Sequence, residues 1–64
     1  MLVNGAKETL EKRMSLFQYL ESKGYVITRI AVERNGEIIP KATYNECILT
    51  EADTLEIVNF VGGG

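Results

Sequence analysis

Two Asn-Gly dipeptides, Asn4-Gly5 and Asn35-Gly36, constrain this chain more than anything else in its sequence. A two-residue type I′ hairpin turn needs positive φ at both central positions, and Asn-Gly is well suited to supply it. The first pair follows Met1-Leu2-Val3, so the chain is expected to open with a short β-hairpin in which Met1 and Val3 share one face. The second follows the alternating run Arg29-Ile30-Ala31-Val32-Glu33-Arg34, and Glu37-Ile38-Ile39 returns from it before Pro40 interrupts.

Between the two hairpins the signals change to those of a helix. Ser15 and Gln18 form a Ser-x-x-Gln capping box, with Met14 placed before the cap to pack on Tyr19. Leu16, Tyr19 and Leu20 fall at helical spacing and make an apolar stripe with Phe17 at its margin. Lys23 suits the last turn and Gly24 the left-handed position that ends a helix. A helix of two to three turns is marginal alone and depends on packing.

Beyond Pro40 the stretch from Lys41 to Leu49 has no sustained period, although Tyr44, Cys47, Ile48 and Leu49 are suited to closing the open end of a core. Glu51-Ala52-Asp53 reads as a turn, and Thr54 to Val61 as the longest strand. Strands gathered around one helix define an α+β fold: a mixed, mostly antiparallel sheet of four to five strands packed on that helix. Leu16 and Leu20 would be buried against Val3, Ile30, Val32, Leu55 and Ile57.

Size and composition narrow the functions. A chain of 64 residues is one domain, and at that size folding buries only about 60 % of the exposed surface. This favours a carrier, binding module or subunit over an enzyme with a deep site. Seven basic and nine acidic residues are dispersed, without the basic stripe that nucleic acid requires. With no His and a single cysteine, Cys47, there is no metal-ligand set and no internal disulfide, which fits a reducing cytoplasm. No apolar run approaches membrane-spanning length. The carboxylates show no acid–base spacing and are expected to be solvated surface.

What remains is Gly62-Gly63-Gly64. Without side chains, the only reactive group such a tail offers is the carboxylate of Gly64. Bare backbone can enter a narrow channel and approach a nucleotide closely. A carboxylate becomes an acyl donor once its oxygen is made a leaving group, for instance by adenylation with ATP, after which a nucleophile displaces it. The alternative is a frayed end with no role. The context weighs against it, because the glycines follow a core strand within one residue.

Several segments together resemble one family. They are Val3-Asn4-Gly5, the helix start Ser15-Leu16, the run from Ala31 through Asn35-Gly36 to Pro40, the acidic turn, and Glu56 to Gly64. In this order the chain resembles the β-grasp, ubiquitin-like fold, and within it the sulfur carriers of thiamine biosynthesis, the ThiS family. Ala52-Asp53 departs from the Gly-Asp usual there. The resemblance implies a β-grasp domain over residues 1–61 and a flexible tail over 62–64. It implies Gly64 as the residue adenylated and converted to a thiocarboxylate, with Gly62 and Gly63 read by the partners. An E1-like activating enzyme (ThiF-like) would use ATP, a donor protein would supply cysteine-derived sulfur, and thiazole synthase (ThiG-like) would consume it. The carrier would have no catalytic residues, no bound cofactor and no metal, and would be a monomer when free. The small subunit of molybdopterin synthase, a ubiquitin-like modifier joined to lysines and a plain interaction module remain alternatives.

Two side-chain expectations complete the reading. Cys47, in an apolar stretch and without a cationic neighbour in sequence, is expected to be a buried structural thiol. If Leu55 and Ile57 point inward, Glu56, Val58 and Phe60 point outward. With Ala31 and Val61, Val58 and Phe60 then form a partner-binding surface beside the tail. Asn59 breaks the apolar alternation on the inner face.

Overall fold

Both Asn-Gly pairs turn the chain as their residue types demand. In the computed structural model, which describes residues 1–60, Asn4 and Gly5 have φ of 51° and 83°, and Asn35 and Gly36 have 53° and 87°. The first turn joins β1 (Leu2–Val3) to β2 (Ala6–Lys7), and the second joins β3 (Ile30–Arg34) to β4 (Glu37–Ile38). With β5 (Thr54–Asn59) they make a five-stranded sheet of order β2-β1-β5-β3-β4. The β1·β5 pair is parallel and the other three are antiparallel, so the sheet is mixed as expected.

The helix α1 (Leu16–Ser22) has the full capping box: Gln18 N donates to Ser15 Oγ and Ser15 N donates to Gln18 Oε1. Gly24 takes the left-handed conformation that ends it, while Lys23 is the C-cap residue rather than part of the last turn. Leu16, Tyr19 and Leu20 are buried against Val3, Ile30, Val32, Leu55 and Ile57. These apolar positions recur every second residue on the strands and every third or fourth on the helix. One face of each therefore meets in a single core.

Several element boundaries differ from expectation. Arg29 closes a 3-10 turn (Ile27–Arg29) instead of opening β3, although its carbonyl still accepts from Phe60 N. Ile39 lies past the end of β4, and a second 3-10 turn (Lys41–Thr43) follows Pro40. Tyr44 and Leu49 do close the core, with Cys47 and Ile48 half-buried beside them. The last strand stops at Asn59, which is exposed, with Phe60 beyond it. Val61, Gly62, Gly63 and Gly64, and with them the expected boundary between domain and tail, lie outside the described residues.

Candidate functional site

The strand that leads to the glycines is held very differently along its length. At its start, Asp53 is only 4 % exposed, which corrects the expectation that the carboxylates are all solvated. Asp53 Oδ2 accepts from Arg34 Nη2 at 3.0 Å and from Thr50 N at 2.8 Å, and its Oδ1 accepts from Asn35 Nδ2 at 3.1 Å. Burial works against the charge. The hydrogen bonds from Arg34, Thr50 and Asn35 outweigh it and hold the carboxyl below the usual aspartate range. Asn35 also exchanges two hydrogen bonds with Thr54: its N donates to Thr54 O and its Oδ1 accepts from Thr54 N. The second hairpin turn is thereby riveted to the start of β5.

The middle of β5 is bound by another turn asparagine. After β1 ends, the Asn4 carboxamide continues the pairing, with Oδ1 accepting from Ile57 N at 2.7 Å and Nδ2 donating to Ile57 O at 3.3 Å. Sequence reasoning saw in Asn4 and Asn35 only turn formers. Their long-range bonds are invisible to local patterning because the partners lie 53 and 18 or 19 residues away.

Towards its end the strand offers apolar surface. Val58 and Phe60 are 57 % and 54 % exposed, and by the period of two they share the outer face of the sheet. Ala31, directly opposite Val58, is half-buried. Ile38, 65 % exposed, joins this face, and the sequence reading gave it no role. Counting outward from Asn35-Gly36 would have placed it there: it sits opposite Glu33, out of phase with buried Val32. Glu33 in turn faces Glu56, two like charges opposed on the same face. The expected partner surface thus gains Ile38, and Val61 lies outside the described residues.

Cys47 is half-buried, and its Sγ accepts from Arg34 Nη1 at 3.4 Å. The cation that is missing from its sequence neighbourhood is supplied by tertiary contact, from the residue that also binds Asp53. A separate shallow depression between the first hairpin and α1 is lined by Glu8, Met14, Tyr19 and Lys23 among others. There the Tyr19 hydroxyl donates to Glu8, which that bond and the Lys23 ammonium at 3.5 Å hold below the usual carboxylate range. Glu8, Tyr19 and Lys23 there satisfy one another. Among the described residues no three His, Cys, Asp or Glu side chains gather as a metal-ligand set, and no helix is long and apolar enough to cross a membrane.

With the geometry in view, comparison with known proteins is decisive. The family model described as ThiS matches residues 1–64. The chain belongs to the ThiS family. A crystal structure of a thiamine biosynthesis protein (ThiS) from Geobacter metallireducens has the same fold. It superposes with a TM-score of 0.82 at 26 % identity, over 98 % of this chain and 96 % of that one. The sulfur carrier protein ThiS of Bacillus subtilis is 57 % identical over 35 residues, which are 55 % of this chain and 53 % of that protein. A thiazole synthase from Paramagnetospirillum magneticum is 38 % identical over all of this chain. The ThiS chain spans only 20 % of that synthase's length. The β-grasp fold expected from the order of elements is the fold these ThiS proteins share.

Proposed function

We propose that this protein is the sulfur carrier for the thiazole ring of thiamine, and that its working group is the carboxylate of Gly64. The observation that carries the reading is the ThiS family match across residues 1–64, tail glycines included. In the proposed sequence, an E1-like enzyme joins the Gly64 carboxylate to the AMP moiety of ATP, releasing pyrophosphate. Hydrosulfide released from cysteine then attacks the acyl carbonyl, the new C–S bond replaces the C–O bond to AMP, and AMP leaves, so that one carboxyl oxygen is replaced by sulfur. The chain is the substrate of these steps and contributes recognition rather than catalysis. Val58, Phe60 and Ile38 offer an apolar face to the partners, beside the strand that leads towards the tail.

Thiazole formation is preferred to molybdopterin synthesis for a specific reason. A protein called thiazole synthase matches this chain from end to end within a fifth of its own length. There a segment of this kind and the synthase belong to one polypeptide. The deciding experiment is intact mass after incubation with ATP, the thiamine-pathway activating enzyme and a cysteine-derived sulfur source. Exchange of one oxygen of the chain for sulfur is expected. An unchanged mass there, with exchange in the molybdopterin-pathway system instead, would move the protein to that pathway. Attachment to lysines would make it a modifier.

A further inference from the structure

Lys41 occupies a position in the fold that neither the turn nor the strand pattern explains. In the β3·β4 hairpin, Glu33 lies opposite Ile38 and Arg34 opposite Glu37. One more step of that ladder is visible in Ile39 N donating to Val32 O at 2.9 Å. Continuing the same register would set Lys41 across from Ile30. The main chain does not get there, because after Pro40 it turns away into Lys41–Thr43. The side chain makes the contact instead: Lys41 Nζ donates to Ile30 O at 2.6 Å. The same ammonium stands 5.8 Å from the centroid of the Phe60 ring. Phe60 is itself tied to this corner, its N donating to Arg29 O at 2.7 Å. One cation therefore closes an open carbonyl of β3 and holds the aromatic ring of the residue next to the end of β5.

We infer that Lys41 is a positioning residue for activation of the tail. It acts through Phe60 by holding that ring on the outer face, in the orientation the activating enzyme meets. This rests on the sulfur-carrier reading and extends it to a residue outside the apolar surface. A ring fixed in advance costs the complex less ordering on docking, so the effect belongs in recognition of the carrier rather than in the rate of adenyl transfer. A cation over an aromatic ring at an exposed site changes an equilibrium by about two- to fivefold.

The test is steady-state adenylation of the 64-residue chain by the ATP-dependent E1-like enzyme, with pyrophosphate release as the readout. Lys41→Met is expected to raise KM for the carrier about two- to fivefold and leave kcat unchanged. Lys41→Arg, which keeps a cation and a donor, should restore the wild-type KM. In a Phe60→Leu background, Lys41→Met should add nothing. Proton NMR of the wild-type chain should show Lys41 side-chain methylenes shifted by the ring current, and Phe60→Leu should remove the shift. An unchanged KM in Lys41→Met would overturn the inference. So would the same KM increase with Leu at 60, or failure of Arg to rescue while the melting temperatures match. If the wild-type chain is not adenylated at all, the sulfur-carrier reading itself falls. If it is loaded and Lys41→Met loads equally well, only the role of Lys41 falls.

Discussion

The two ends of β5 are built on opposite principles. At Asp53 and Thr54 the strand starts from a buried carboxylate that accepts from a guanidinium, a turn asparagine and the N–H of Thr50, and the same asparagine accepts from Thr54 N. At Asn59 and Phe60 the side chains are exposed, Asn59 pairs with Ile30, and Phe60 has a backbone bond to Arg29 and the Lys41 ammonium near its ring. Several hydrogen bonds converging on one buried carboxylate specify one geometry. The exposed ring of Phe60 and its neighbours Val58 and Ile38 form the apolar face that the proposed function offers to partners. In the proposed function the two ends divide the work: a root fixed by side-chain hydrogen bonds, and an exposed apolar end offered to the partners.

This contrast can be broken most sharply at the far end. Adding one residue after Gly64 is expected to abolish sulfur loading in the intact-mass assay, while the denaturation midpoint stays unchanged. Partial loading of the extended chain would refute the assignment of the chemistry to that carboxylate.

At the root the expected loss is in stability. Asp53→Ala takes one acceptor from Arg34 Nη2, which keeps Ile48 O, and leaves the N–H of Thr50 without its acceptor. It should cost about 2–4 kcal/mol by urea denaturation, a large share of what a domain this small possesses. The same carboxylate predicts an acid limb. Its pKa in the folded protein is below the unfolded value, so its contribution is fully present above the ordinary aspartate pKa of about 3.9. That contribution disappears as pH falls through the lower folded-state value. Asp53→Asn should flatten this limb, and an unaltered acid profile would remove Asp53 from the account.

Phe60→Glu sharpens the comparison from the other side. Binding to the activating enzyme should weaken by about 1–2 kcal/mol, as for an aromatic residue at the centre of an interface. Stability should change by less than about 0.5 kcal/mol, because the site is exposed and Lys41 is near enough to receive the carboxylate. Equal losses in both measurements would make Phe60 a structural residue. The smallest effect is expected for Cys47→Ala: sulfur loading intact, and a stability loss of about 0.5–1 kcal/mol from packing and the contact to Arg34. Loss of loading with the fold preserved would bring the thiol into the chemistry.

Much of this was legible in advance, and the reasons are local. The capping box at Ser15 and Gln18, the left-handed Gly24 and the two Asn-Gly turns rest on interactions spanning a few residues, so residue type alone identifies them. The core was readable because burial imposes a period on each strand and on the helix. The outer face was readable only in part. Val58 and Phe60 follow from alternation with Leu55 and Ile57, but Ile38 required the hairpin register. The buried charge at Asp53 was missed because nothing in Glu51-Ala52-Asp53 reveals that Arg34 will arrive to pair with it.

The division follows from the range of the forces involved. Turn conformation, helix capping and apolar periodicity are set by neighbours along the chain, and they determined the order of elements, the α+β class and the composition of the core. The glycine tail and the resemblance to ThiS were also readable without coordinates, and the proposal for Gly64 rests on them. The tertiary structure decided which polar residues meet across 11 to 53 positions: Arg34 with Asp53 and Cys47, Asn4 with Ile57, Lys41 with Ile30 and Phe60. Such pairings carry no periodic signal, because each depends on where folding places two distant side chains. These contacts lock β5 at its root and hold the ring of Phe60 beyond its other end.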